Sequence, residues 1–273
     1  MSDEIVVTPH AIGEHTIEAD AIAPDRLASL SQLEIARLPV WAGGRPARLG
    51  DIFSVRGERA STVRIDGDAT HVDGLGSAMA GGTLHIEGSA GRRLGAGMTG
   101  GAIHVLGDTG DDAGSAMAGG LLRVGGRAGD RLGAARAGAA KGMTGGEIIV
   151  LGAAGSEAGA GARRGLIVVC GDVGAHAARG MIAGSVIVFG AAGAGAARWS
   201  KRGTLVVAGT VDVEPTFGFA CTYRPPHLRL TLTYLRAKYA LPIDDGYIHG
   251  LYRRYSGDMA ELGKGEILQW VTE

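Results

Sequence analysis

Between residues 62 and 209 the chain repeats one short pattern of apolar and polar positions. Eight segments end on a glycine: TVRIDG (62–67), TLHIEG (83–88), AIHVLG (102–107), LLRVGG (121–126), EIIVLG (147–152), LIVVCG (166–171), SVIVFG (185–190) and TLVVAG (204–209). Successive closing glycines lie 21, 19, 19, 26, 19, 19 and 19 residues apart. Within the segments aliphatic residues alternate, as in Leu84/Ile86, Ile103/Val105, Ile148/Val150 and Leu205/Val207. A period of two marks a strand with one face directed into a core.

The residues between strands repeat as well, as G-x-x-G-x-x-x-G-x-x-M-x-G-G. The pattern is complete in GSAGRRLGAGMTGG (88–101) and GDTGDDAGSAMAGG (107–120). Its Met position holds Met79, Met98, Met117, Met143 and Met181, with Ala162 and Ser200 in the remaining repeats. A single unit of this size cannot bury its apolar side, whereas stacked units bury a continuous core. The predicted fold is therefore all-β, a single-stranded parallel β-helix of about eight coils. Small residues at Ala113, Ala158, Ala177 and Ala196 predict a narrow cross-section.

The outward positions divide the repeats into two groups. The middle outward row reads Arg64, His85, His104, Arg123, Ile149, Val168, Ile187, Val206, and the last reads Asp66, Glu87, Leu106, Gly125, Leu151, Cys170, Phe189, Ala208. Repeats one to four are thus largely polar outside, and repeats five to eight are apolar on both faces. A strip of Ile149, Leu151, Val168, Cys170, Ile187, Phe189 and Val206 is too large an apolar patch to stay in water. Either the chain's own C-terminal segment or another subunit must cover it. The 26-residue spacing marks a seven-residue insertion around AARAGAAKG (134–142), carrying Arg136 and Lys141. Such insertions are either tolerated surface loops or binding elements.

The flanks differ from the repeats, which gives three expected regions: a cap segment at 1–60, the repeats at 61–212 and a C-terminal extension at 213–273. In the first, EIVVT reads as a strand, and Ser31 with Glu34 fits a capping box. Nine of thirteen aromatic residues lie from Phe217 onward, so that region is not another repeat. Pro225-Pro226 opens a predicted helix with Leu228, Leu232 and Leu235 on one face. The extension is expected to pack on the repeats, on a partner, or on both.

Composition narrows the function. Gly accounts for 49 of 273 residues without a collagen period, which suits a fold of many tight turns. A net charge of −1 gives no electrostatic reason to expect nucleic acid. The N-terminus lacks the apolar stretch of a secretory signal and no run is long enough to span a bilayer, so a cytoplasmic protein is expected. Two cysteines, Cys170 and Cys221, are too few for a disulfide framework or a four-thiolate metal site.

No motif in the sequence carries recognisable chemistry. Gly95–Gly100 fits G-x-G-x-x-G, but it precedes a strand and opens no helix, the reverse of a dinucleotide-binding turn. His85 and His104 stack on adjacent repeats, yet Arg64 and Arg123 above and below them disfavour a metal cation. Arg64, His85, His104 and Arg123 could instead meet an acidic ligand or partner, as could Arg136 and Lys141, although Asp66 and Glu87 weaken the first set. Cys170 lies four repeats from His85, too far to be activated by it. Asp68 and Asp108, two repeats apart, lack the neighbours that proton transfer needs. No catalytic residue and no metal ligand is assigned.

The repeated G-x-x-G-x-x-x-G-x-x-M-x-G-G-x-I-x-V resembles the glycine-rich β-helix domain of the large subunit of glutamate synthase and of the C subunit of formylmethanofuran dehydrogenase. LPVWAGGRPARLGDIFSVRG (38–57), PTFGFACTYRPPHLRLTL (215–232) and YRRYSGDMAELGKGEIL (252–268) are similar to the flanks of that C subunit, so that the resemblance covers nearly the whole chain. With 23 Arg against 4 Lys the composition looks bacterial, which favours the homologous formyltransferase/hydrolase complex of methylotrophs over the tungsten or molybdenum dehydrogenase. The resemblance implies a non-catalytic scaffold subunit in one-carbon metabolism. Its complex would move a formyl group between tetrahydromethanopterin and methylofuran and release formate. Hydrolase-like and formyltransferase subunits would be its partners, metals would sit on those subunits, and methylofuran would be bound in the complex. A freestanding β-helix enzyme is the reading from another class.

Overall fold

The computed structural model describes residues 4–10 and 15–271. Its N-terminal region contains β1 (Ile5–Pro9), β2 (Ile17–Glu18), α1 (Pro24–Leu27), α2 (Gln32–Ala36), β3 (Pro39–Ala42), β4 (Arg45–Arg48), α3 (Leu49–Ile52) and β5 (Phe53–Arg56). The capping box read from sequence is present at α2. The Ser31 side chain accepts from the Glu34 N–H, and the Glu34 carboxylate accepts from the Ser31 N–H at 2.9 Å. The repeat region follows with β6 (Thr62–Ile65), β7 (Val72–Asp73), β8 (Thr83–Ile86), β9 (Ala102–Val105), β10 (Leu121–Val124), β11 (Glu147–Val150), β12 (Leu166–Val169), β13 (Ser185–Val188) and β14 (Arg202–Val207). The chain continues through β15 (Gly218–Tyr223), α4 (Pro226–Tyr239), α5 (Asp245–His249), β16 (Tyr252–Gly257) and β17 (Lys264–Trp270).

The protein is mostly β-structure with few helices. Among the described residues, thirteen strands form one sheet in the order β15-β16-β17-β14-β13-β12-β11-β10-β9-β8-β6-β1-β5. From β6 to β14 every neighbour is parallel and paired in the register that the repeat predicts. Leu84, Ile103, Leu122, Ile148, Ile167, Val186 and Leu205 form one unbroken row. The seven extra residues leave this register untouched because they sit in the connection between β10 and β11. A second row of parallel bridges runs through the connections from Ala69 to Ala90, Thr109, Ala128, Ala154, Val173, Ala192 and Val211.

The aliphatic row, the five repeat methionines and Ala113, Ala158, Ala177 and Ala196 share one buried core. Fully burying each Leu, Ile or Val contributes roughly 1.5–3 kcal/mol, so this continuous row is the main stabilising feature of the repeats. The glycines of the nucleotide-like motif serve this packing. Gly95 has φ +61°, and a Cβ there would lie 3.0 Å from Ile103 Cδ1 in the core. Glycine suits this left-handed position, which later repeats fill with the next smallest residue, Ala178 at φ +57° and Ala197 at φ +58°.

Successive connections are also tied by aspartates. Asp73 accepts from the Arg92 N–H at 2.7 Å, Asp108 from the Arg127 N–H at 2.7 Å, Asp111 from the Asp130 N–H at 2.9 Å and Asp172 from the Ala191 N–H at 2.7 Å. Asp108 therefore satisfies the backbone of the next repeat. It has no role as half of a carboxylate pair.

At one end β1 pairs parallel to β6 and antiparallel to β5. At the other, β17 adds parallel to β14 and turns back through β16 to β15, which forms the outer edge. Helix α4 starts at Pro226, as the double proline predicts, and buries Leu228, Leu232, Leu235 and Tyr239. No helix among the described residues is long and apolar enough to cross a membrane.

Candidate functional site

The outer face of the sheet is where the sequence places its candidate residues, and the structure divides that face in two. On repeats five to eight, Ile149, Val168, Ile187 and Val206 lie in a second buried cluster with Leu228, Leu232, Leu235, Tyr239, Leu241, Ile243, Ile248, Tyr252 and Leu268. Helix α4 and the elements after it have folded back over them. Ile149 and Val168 are 0% exposed. These four are therefore not an intermolecular interface, since the chain's own C-terminal extension already satisfies their need for cover. Cys170 and Phe189 are half-buried at the margin, where Phe189 meets Tyr247 edge-on at 5.4 Å. Leu151 remains 36% exposed.

Glu147, at the start of the first apolar repeat, fastens this cover. Its carboxylate accepts from the Tyr234 hydroxyl at 2.8 Å, from Lys238 Nζ at 2.9 Å and from the Tyr239 hydroxyl. Burial pushes the Glu147 carboxyl up, but the hydrogen bonds from Tyr239, Lys238 and Tyr234 outweigh it and hold the group below the usual carboxylate range. Hydrogen bonds to Tyr234, Tyr239 and Glu147 push the Lys238 ammonium in the opposite direction, upward. Sequence reasoning missed Glu147 because its partners lie 87 to 92 residues away. The only local signal is a carboxylate where neighbouring repeats have Leu121, Leu166 and Ser185.

On repeats one to four the outward row lacks this cover and is half-buried. Arg64 lies 3.2 Å from Glu4 and 3.7 Å from Asp66, so its charge is already matched. His85 and His104 are stacked, with ring centroids 5.2 Å apart and planes inclined by 14°. Burial, then the neighbouring His85 and Arg123, push the His104 imidazole below its usual value and hold it neutral near pH 7. The row is less cationic than its composition suggests, because Arg64 is paired and His104 resists protonation. Among the described residues no group of three or more His, Cys, Asp or Glu could hold a metal ion.

Cys170 is a poor nucleophile for a physical reason. Burial pushes its thiol up against a smaller opposing pull from Arg123, which keeps the protonated, unreactive form. In the insertion, Lys141 is exposed, while Arg136 folds back until its guanidinium lies against Gly97. The insertion therefore places one cation beside a connection two repeats earlier and the other in solvent. The two do not converge on one point.

Protein-family models give no match to the chain. Curated relatives do match. One is the C subunit of the molybdenum-containing formylmethanofuran dehydrogenase 1 of Methanosarcina barkeri, 38% identical over 93 residues, covering 32% of this chain and 31% of the relative. Another is the C subunit of the formyltransferase/hydrolase complex of Methylorubrum extorquens, 36% identical over 73 residues, 27% of this chain and 28% of the relative. These alignments span about a third of the relatives' length. The decisive similarity is to a whole chain. The crystal structure of the formyltransferase/hydrolase complex from Methylorubrum extorquens with methylofuran contains a chain that superposes with a TM-score of 0.91 at 33% identity, covering 98% of this chain and 100% of that one. The protein belongs to the C-subunit family. Membership of a family shared by formyltransferase/hydrolase complexes and formylmethanofuran dehydrogenases agrees with the resemblance carried by the repeat and by residues 38–57, 215–232 and 252–268.

Proposed function

We propose that the chain is a non-catalytic structural subunit of a formyltransferase/hydrolase complex. The complex would transfer a formyl group between tetrahydromethanopterin and methylofuran and release formate in one-carbon metabolism. The observation that carries this reading is the match along the whole chain to one subunit of such a complex, crystallised with methylofuran. Hydrolase-like and formyltransferase subunits are its partners in this reading, and the residues that handle methylofuran or metals lie on them.

Part of the proposal is architectural. The eight parallel strands, with a second row of parallel bridges through the connections, support a single-stranded parallel β-helix of about eight coils over residues 61–212. Residues 1–60 would cap one end and 213–273 would cover the side and the other end. The surface left for partners includes β15, an edge strand exposed along most of its length with Phe219 61% exposed. Open edges recruit further strands or a covering chain. Trp199 and Met259 stand exposed on either side of Asp258, whose carboxylate accepts the Trp199 N–H at 2.8 Å.

The test is to purify the chain alone and together with the products of neighbouring genes. Formyl transfer and formate release are expected only from the assembly, and turnover by the isolated chain would overturn the proposal. A second reading, the C subunit of a tungsten or molybdenum formylmethanofuran dehydrogenase, is favoured by the 38% identity to the Methanosarcina barkeri protein. Metal analysis of the purified assembly separates the two, since stoichiometric tungsten or molybdenum would select the dehydrogenase.

A further inference from the structure

One concavity lies outside the outer face of the sheet, between the N-terminal segment and the insertion. It encloses about 880 Å³ and is lined by five arginines, Arg26, Arg92, Arg93, Arg131 and Arg136. They come from distant parts of the chain, and the last is present only because the insertion interrupts the 19-residue period. A volume of this size falls within the range of small-ligand sites.

The ion pairs do not balance this charge. Arg131 is spent on Asp112, which it grips with two bonds of 2.8 Å. Glu157, also on the wall, is engaged by Arg179 at 3.0 Å. Arg93 has Glu18 at 3.9 Å. Among the described residues Arg26 donates only to backbone carbonyls, those of Asp20 and of Ser77, the latter at 3.1 Å. Arg92 and Arg136 have no carboxylate within ion-pair distance among the described residues. A single remaining carboxylate on the wall, that of Asp20, faces three unmatched guanidiniums.

The approach of Arg136 depends on the absence of a side chain at residue 97. Its Nη2 lies where a Cβ on residue 97 would be only 2.5 Å away, so the glycine at that position leaves room for the guanidinium. Gathering like charges in a concave wall raises the local potential for anions. A guanidinium offers paired, coplanar donors that match a carboxylate or a phosphate.

We propose that this cleft binds a small ligand carrying two or more oxyanion groups, carboxylate or phosphate, through Arg92, Arg136 and Arg26. The site is independent of the subunit assignment, because it rests on the charge and shape of this chain alone.

Isothermal titration of the full chain, free and within its purified assembly, tests the proposal with citrate and pyrophosphate as probes at low and high salt. The expected result is saturable, salt-sensitive binding of at least one probe in the millimolar range or tighter. Citrate alone binding would identify a carboxylate ligand, and pyrophosphate alone a phosphate ligand. Arg136→Ala and Arg92→Ala should each weaken binding about tenfold or more, and Arg136→Lys should restore only part of it because the fork is lost. Arg45→Ala, at an exposed arginine on β4, should leave binding unchanged. Melting curves check folding, and the insertion variants at residue 136 keep the test valid if Arg92→Ala unfolds. Absence of saturable binding by both probes, or equal binding by wild type and both residue-136 variants, would overturn the proposal.

Discussion

Repeats one to four and repeats five to eight share one backbone plan and one inner row, yet they differ completely on the outside. His85 and His104 stack in an open polar row, while Ile149, Val168, Ile187 and Val206, at the same strand position, are buried beneath α4. The inner positions therefore set the fold, and the outer positions decide which stretch of it receives a second layer. The boundary falls between Arg123 and Ile149, next to the insertion and to Glu147, which anchors the covering helix. One sheet thus serves as solvent-facing wall over half its height and as the floor of a second core over the rest.

The largest effect is expected from placing a charge on the covered half. Ile187→Asp buries a carboxylate with no partner under α4, and the cost of an unpaired buried charge should exceed about 3 kcal/mol. Chemical denaturation should show that loss, and limited proteolysis should show residues after 213 becoming accessible. His104→Asp, at the equivalent strand position in the open half, should cost far less. Equal losses at both sites would break the comparison.

Next comes the apolar cover itself. Leu232 is 1% exposed on the face of α4 that meets the strip. Leu232→Ala should cost about 2–5 kcal/mol by lost burial and the cavity left behind. The exposed Leu230 on the same helix is the control, and Leu230→Ala should change the melting temperature little. If the strip were covered by a partner instead, assembly would rescue the Leu232 variant and the free chain would melt at the same temperature as wild type.

Much of this division was legible before the structure. Aliphatic residues at alternate positions and a constant 19-residue spacing specify the parallel register, because a slip by one residue would turn Ile103 and Val105 outward. The outer apolar strip announced that something must cover it. What covers it was not legible, since Leu228, Leu232 and Leu235 describe an apolar helix face without saying where that face docks. Glu4 matching Arg64 and β17 joining β14 were hidden for the same reason, being pairings of residues about 60 apart in the chain. The arginine cleft was hidden more deeply. Arg136 stood out as part of an insertion, but its approach to Gly97 requires the loop to fold back across two connections, which no local pattern encodes.

Glu147 gives a smaller, pH-dependent effect at the boundary. Its carboxyl is held below its ordinary value near 4.5, so the folded form favours the ionised state. The stability it contributes is complete above that ordinary value and is lost as the pH falls through the lowered one. Glu147→Gln should cost about 1–3 kcal/mol near pH 7, since it removes a charged acceptor of three donors. As the pH falls through the lowered value the variant and wild type should converge, because the wild-type carboxyl is then protonated as well. A gap that persists undiminished to low pH would show that the three donors do not act through the charge.

The smallest effect, and the sharpest test of the open half, belongs to the histidine stack. His104 is held below its usual value, first by burial and then by His85 and Arg123, so the folded chain binds its proton less readily than the unfolded chain. Stability must therefore fall as the pH drops from above the ordinary histidine value of about 6.5 toward the lowered one. His104→Gln keeps a polar side chain in the row but cannot titrate, and near pH 8 it should lie within about 1 kcal/mol of wild type. Denaturation at intervals from pH 8 to pH 5 should show the wild type losing stability faster than the variant on the acid side. Parallel curves would mean that the imidazole stack carries a proton as easily folded as unfolded. The open row would then be available to an acidic partner, and the contrast between its charge-resisting half and the covered half would have to be redrawn around Arg123 alone.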